Sequence, residues 1–311
     1  MKTSSAHRWL DIVLTALAPM IWGSTYIVST ELLPPDRPFT AALLRTLPAG
    51  LLLVVLCRHA LPSGQWRRLW LLSALNIGAF QALLFVAAYR LPGGLAAVMG
   101  AIQPLIVMLL AWGWERQTPG LLAVIGAVTG VLGMAVLLIS PATVWDPLGI
   151  AAALGGAGCM ATGTYLNRRW RSDLPLLAMT GWQLLLGGVM LLPVACLIDP
   201  PLPALSLTAI AGYVYLSLLG ALLAYVLWFR GINRLSPVAV SSLGLLSPIT
   251  AVVLGWWLLD QQLRGSALLG MLTVLASIAL VQWSNRPQSA RPASSPSSPL
   301  QISESTTQGR S

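Results

Sequence analysis

Apolar residues run along most of this chain in windows of about twenty without a charge, separated by short stretches rich in charge, proline or glycine. Wound as an α-helix, a window of that length covers the roughly 30 Å of a bilayer's hydrocarbon core. Cutting the windows at the polar stretches predicts ten transmembrane helices, at 12–30, 39–57, 69–89, 93–114, 119–139, 147–167, 175–197, 206–229, 237–259 and 265–284. A barrel strand needs about ten residues in strict alternation, and runs such as Leu121 to Ile139 do not alternate. The fold class expected is all-α integral membrane. Ala16-Leu17-Ala18 after Lys2 and Arg8 has the form of a cleavable signal, but Asp11 interrupts the apolar run and Pro19 would follow the cut, so a first membrane helix is expected there. Residues 285–311, rich in Ser, Pro, Gln and Thr, are expected to form a disordered cytoplasmic tail.

Composition agrees with this reading: 56% of residues are hydrophobic and 9% charged, whereas soluble domains carry charge on about a quarter. Soluble enzyme, secreted domain and nucleic-acid reader are thereby excluded. The net charge of +9 is spread over connections and forms no patch. With the N-terminus inside, fourteen basic residues fall on cytoplasmic segments, against Arg37, Arg90 and Arg264 outside. Both termini are therefore expected in the cytoplasm. Lys2 is the only lysine, so the chain has no phosphate-binding P-loop. Cys57, Cys159, Cys196, His7 and His59 show no metal-ligand spacing, and no metal or cofactor is expected.

Sliding the chain by 144 residues aligns 90–138 with 234–282 without a gap, at eleven identities that include Arg90/Arg234, Gly100/Gly244, Pro104/Pro248, Trp112/Trp256, Gly126/Gly270 and Thr129/Thr273. A looser echo links Trp22-Gly23-Ser24-Thr25-Tyr26 with Thr162-Gly163-Thr164-Tyr165. The expected layout is a cytoplasmic N-terminus (1–11), a first repeat (12–139), a second repeat (147–284) and the tail. Five helices per repeat is an odd number, so the second repeat enters the membrane from the opposite side, an arrangement suited to alternating access. The blocks Gly100 to Pro104 and Gly244 to Pro248, each followed by a Trp and an acid (Glu115, Asp260), with the Trp22 run and Arg45, resemble the two repeats of EamA-type transporters of the drug/metabolite transporter superfamily. The resemblance covers about 12–284 and implies ten helices in two inverted five-helix repeats, a central cavity, and export of amino acids or other small metabolites from the bacterial cytoplasm across the inner membrane. One departure is that Pro104 to Glu115 is one residue shorter than Pro248 to Asp260.

Polar side chains within the spans must face a cavity or a neighbouring helix, because hydrocarbon leaves them unsatisfied. Trp22, Thr25 and Tyr26, with Ser24 beside them, share a face of the first helix. Asn76, Gln81 and Gln103 can each donate and accept, as substrate contacts or as glue between helices. Thr162, Tyr165 and Tyr225 are the candidates in the second half, whereas Trp228, near a helix end, reads as an interfacial anchor. The resemblance sets Trp182 and Gln183 toward the outside of the bundle. Arg45 either meets a substrate or a gate, or snorkels to the surface. Gly100 with Pro104 and Gly244 with Pro248 are hinge candidates through mid-helix kinks, and Gly126 with Gly130 suits close helix packing.

Asp11, Glu31, Glu115 and Asp260 all lie at span ends, where they read as solvated. With no carboxylate inside the spans, a neutral or zwitterionic metabolite is expected before an organic cation, and a membrane-embedded enzyme is not expected. The sequence thus predicts an exporter of amino-acid-like metabolites, with efflux of toxic or aromatic compounds and a flux-free scaffold as the alternatives. Expected partners are a small-molecule metabolite and the lipid bilayer, not nucleic acid, and a homodimer is compatible with the pattern.

Overall fold

A computed structural model describes residues 5–60, 64–90, 100, 102–116, 118–138, 146–170, 172, 174–258 and 265–284. The tail from 285, Asp260, Arg264, residues 91–99, with which the expected fourth span (93–114) begins, and the side chain of Tyr26 lie outside the described residues.

The described residues form ten helical rods. They are α1 (Ser5–Glu31), α2 (Pro38–Cys57), α3 (Trp66–Ser73, Ala74–Gly78 and Ala79–Arg90 in one run), α4 (Gln103–Glu115) and α5 (Leu121–Leu138), then α6 (Pro147–Arg169), α7 (Leu176–Ile198), α8 (Leu207–Tyr215, Leu216–Leu223 and Ala224–Arg234 in one run), α9 (Pro237–Leu243 and Leu246–Leu258) and α10 (Gly265–Ser284). Among the described residues, six segments are long and apolar enough to cross a bilayer: His7–Ser29, Pro38–Cys57, Trp66–Ala87, Leu176–Ile198, Leu207–Arg234 and Pro237–Leu258. α6 has the length, at 23 residues, but five of them are Gly and it ends in Asn167-Arg168-Arg169, which lowers its hydropathy.

Packing follows a rule of exchange. α2 packs along α7 and α5 along α10, each helix meeting its own counterpart, while α3 and α4 pack on α6 just as α8 and α9 pack on α1. Both counterpart pairs run antiparallel: a Cβ on Gly50 would meet the Leu185 backbone at 2.2 Å, and one on Gly188 would meet Leu47 Cα at 2.8 Å. Likewise Gly126 lies against Val281 and Gly133 against Thr273. Without a hydrophobic drive between helices in lipid, such small-residue contacts supply the dispersion that holds the bundle.

Three sequence expectations change here. α1 starts at Ser5, earlier than 12, so Asp11 lies within it and is 7% exposed, not a solvated end. Pro104 sits in the first turn of the described α4 segment, where a missing N–H costs nothing. Pro248 lies in the first turn after the break in α9 at Gly244–Leu245, which is closed by i→i+3 bonds such as Ser247 N–H to the Gly244 carbonyl at 3.1 Å. The interruption therefore lies upstream of the proline.

If the backbone contact between α2 and α7 sets the bundle, Gly50→Leu or Gly188→Leu must push the helices apart and is expected to cost at least about 1–3 kcal/mol. Thermal unfolding in detergent checks this, with Gly113→Ala, which has open space around it, as the control expected not to lower the midpoint.

Candidate functional site

The third helix of each half carries a π-helical turn, Ala74–Gly78 in α3 and Leu216–Leu223 in α8. Such turns loosen the backbone ladder and leave carbonyls open to other donors. Gly220 uses this freedom. Its carbonyl accepts from Trp22 Nε1 at 3.0 Å and from Arg45 Nη2 at 3.0 Å, so α1, α2 and α8 meet at one oxygen. A Cβ at Gly220 would lie 3.6 Å from Arg45 Nε, an ordinary contact, so it is the turn and not the missing side chain that exposes the carbonyl. Arg45 is 3% exposed, which corrects the snorkelling reading. Its stem turns inward because a carbonyl dipole is available there.

Asn76 lies 144 positions before Gly220, the same offset that separates Gln81 from Tyr225. The latter two are joined across the halves, Gln81 Nε2 donating to the Tyr225 hydroxyl at 3.0 Å, while that hydroxyl lies 3.4 Å from the Asn76 carbonyl. Repeat-related side chains bonded to each other mark the place where the two copies of α3 and α8 face one another.

Around this node lies a cavity of about 710 Å³, a volume suited to a small organic molecule. Trp22, Thr25, Arg45, Gln81, Gln103, Tyr225, Gly100, Gly244 and Pro248, all singled out from sequence, border it. At one end the cavity reaches Pro35 and Asp36 in the α1–α2 loop. Deeper in it is walled by aromatic rings: Trp22 packs 5.1 Å from both Tyr225 and Trp228, and Tyr225 packs 5.6 Å from Phe229. Beyond them Asp11 is clasped by Arg230 at 2.6 Å and Arg234 at 3.3 Å.

Trp228 is 1% exposed and borders the cavity, so it is no interfacial anchor. Nor is Gln183 peripheral. It is fully buried, accepting from Asn76 Nδ2 at 2.9 Å and lying 3.4 Å from Asn167. Asn76 is thus tied to Gln183 and does not border the cavity. Ser24 is held by the Tyr215 hydroxyl at 2.6 Å, and neither it, Thr162 nor Pro104 borders the cavity. Tyr165 donates to Glu115 at 2.8 Å, beside Arg169, in a cluster away from the cavity. Sequence reasoning missed Ser29, Ser241, Ser247, Phe80, Phe85 and Met160, which also border it. Their small or apolar side chains gave no signal against a background of membrane helix. Thr25 Oγ1, Ser29 Oγ, Gln81 Oε1 and Trp228 Nε1 are buried at the cavity border with no hydrogen-bond partner among the described residues.

A second ion pair answers the Asp11 clasp. Arg90, 144 positions before Arg234, binds Asp146 at 3.1 Å. Asp146 caps α6 by accepting from Leu148 and Gly149 backbone N–H at 2.8 and 3.1 Å. The Gly149 N–H foremost, with Arg90, holds its carboxyl below the ordinary carboxylate value, against the opposing effect of desolvation. It therefore stays ionised, and tied to Arg90, to lower pH than a free aspartate.

The chain is 43% identical over 267 residues to Protein PecM of Dickeya dadantii, covering 85% of this chain and 90% of that one. It is 28% identical over 269 residues to the uncharacterized inner membrane transporter YedA of Escherichia coli K12, covering 84% and 87%. A crystal structure of a protein at 17% identity superposes with a TM-score of 0.76 over 89% of this chain and 97% of that one, a likeness of fold alone. The EamA-like transporter family matches twice, over residues 9–139 and 147–283, which is the duplication seen in the packing. This multi-pass membrane protein, built of two such domains, belongs to the EamA-like transporter family.

Proposed function

We propose that the protein is a secondary transporter of the bacterial inner membrane that exports amino acids or related small neutral and zwitterionic metabolites by alternating access. The observation that carries the reading is a cavity bordered by both halves, in which the single carboxylate among the described lining residues, Asp36, stands exposed in a loop. An organic cation would find no buried counter-charge there. A second reading, efflux of aromatic compounds, is favoured by the wall of Trp22, Tyr225 and Trp228.

The antiparallel counterpart pairs α2–α7 and α5–α10 support inverted repeats. With the basic connections inside, the Asp11 clasp is the closed cytoplasmic end and Asp36 marks the open outer end. Exchange of conformation between the halves then loosens the clasp and draws in the end that carries Arg90 and Asp146. The hinges are the α9 break at Gly244 and the region of Gly100, with Pro104 and Pro248 setting the helix starts that follow. Arg45, fixed to the Gly220 carbonyl, ties the first half to the second as this happens.

Counterflow in proteoliposomes tests the transport reading: labelled amino acids are expected to exchange against unlabelled ones, with and without a pH gradient. Exchange confined to cations would reverse the carboxylate argument, and no exchange of any solute would leave a scaffold. For the clasp, a cysteine at Thr15, fully buried against Gly231, in a background lacking Cys57, Cys159 and Cys196, is expected to react slowly with a thiol reagent. Asp11→Asn is expected to speed that reaction at least about tenfold, the factor that 1.4 kcal/mol of bias produces. An unchanged rate would show that the clasp holds nothing shut.

A further inference from the structure

The cavity is bordered by both members of three pairs at the 144-residue offset, Gly100 with Gly244, Gln81 with Tyr225 and Gln103 with Ser247. It therefore lies across the place where the two halves are related. The first of these pairs carries no side chain, and the second is bonded to itself, Gln81 Nε2 donating to the Tyr225 hydroxyl. Gln103 and Ser247 are different. Both are half-buried, and among the described residues neither side chain forms a hydrogen bond. Each precedes a proline at the start of a helical segment, Gln103 in α4 and Ser247 in α9. The backbone of Ser247 is fixed there by Gly23 of α1, which packs directly against its carbonyl. A polar side chain in a bundle without a protein partner must be met by water or by a solute. A carboxamide holds an acceptor oxygen and donor N–H groups in one plane, and a hydroxyl also does both. Neither brings a net charge, so neither favours a lone anion or a lone cation. The group they match is one that carries a donor cation and an acceptor anion side by side. Phe80, Leu84, Phe85 and Met160 on the same border leave an apolar place for the rest of such a molecule.

We infer that Gln103 and Ser247 hold the head group of a zwitterionic α-amino acid, the Gln103 amide accepting from its ammonium and donating to its carboxylate, and the Ser247 hydroxyl adding a contact from the other half. This rests on the transport reading and narrows its solute from neutral and zwitterionic metabolites to the zwitterion. It gives one position of the duplicated unit the task of telling an amino acid from a plain acid or amine. Because that position borders the cavity from both halves, the contact stays with the solute whichever end is open.

Titration calorimetry on the purified, full-length protein in detergent tests this with leucine and the two compounds left when one head group is taken away, 4-methylpentanoate (no ammonium) and 3-methylbutylamine (no carboxylate). Leucine is expected to bind at least about tenfold more tightly than either, the scale of one hydrogen bond to a charged group. Gln103→Leu is expected to erase that gap, and Gln103→Asn, which keeps the amide on a shorter stem, to retain part of it. Ser247→Ala is expected to narrow the gap without erasing it. A purely structural role for either residue would instead weaken all three compounds by the same factor. Unfolding temperature and elution volume check that the variants are folded. Leucine that binds no more tightly than its fragments, or not at all, would overturn the assignment, as would a gap that keeps its full size in Gln103→Leu and in Ser247→Ala. Counterflow of amino acids is read separately, so a failure here with exchange intact there removes the head-group contact and leaves the transporter.

Discussion

Hydrocarbon offers no hydrogen bonds, so every polar group carried into the bundle must be met by another from the protein or from a solute. The Gly220 carbonyl is where this constraint acts most strongly. A π-helical turn in α8 releases it, and Trp22 and Arg45 converge on it from the first half. The direction of Arg45, the stacking of Trp22 on Tyr225 and Trp228, and the chemistry of the cavity beside them all follow from that one acceptor. The related turn in α3 carries Asn76, whose side chain goes to Gln183. The duplicated positions have thus diverged, with the cation on one side and a pair of amides on the other.

This divergence gives the two halves different work within a common frame. Counterpart helices α2 with α7 and α5 with α10 pack through glycines at backbone distance and make a stiff seam. The bond between Gln81 and Tyr225 spans the halves where the repeat meets itself. At the periphery Arg90 and Arg234, one ancestral position, each hold an aspartate of the opposite half, but Asp11 is buried under two arginines while the Arg90–Asp146 pair is exposed. Two copies of one device in unequal states support the alternating mechanism proposed above, in which exchanging their states would exchange the open end.

The spans were legible because charge is so costly in lipid that it marks every boundary, and the repeat was legible because Gly100/Gly244, Pro104/Pro248 and Arg90/Arg234 stand at a fixed offset. Side-chain direction was not. Two turns from a helix end, a long arginine can reach surface or interior, and only the π-helical turn, which has no sequence signature, decides it for Arg45. Thr162 and Tyr165 do share a helix, but spacing does not say which neighbour they meet, and for Tyr165 that neighbour is Glu115. For Trp228, nearness to a helix end is not nearness to the membrane surface, because α8 runs on to Arg234. The same holds for Asp11, because α1 begins at Ser5.

The most direct test of the central claim, that the ends of one cavity open in turn, is a pair of distances measured in the same protein. Spin labels at Trp9 and Asn233 bracket the Asp11 clasp, and labels at Asp36 and Leu148 bracket the other end, all four residues being exposed. Pulsed electron resonance in lipid, across conditions that change the state of the transporter, is expected to show the first distance growing as the second shrinks. Two distances that move together, or a first distance that stays fixed while solute is exchanged, would contradict the account.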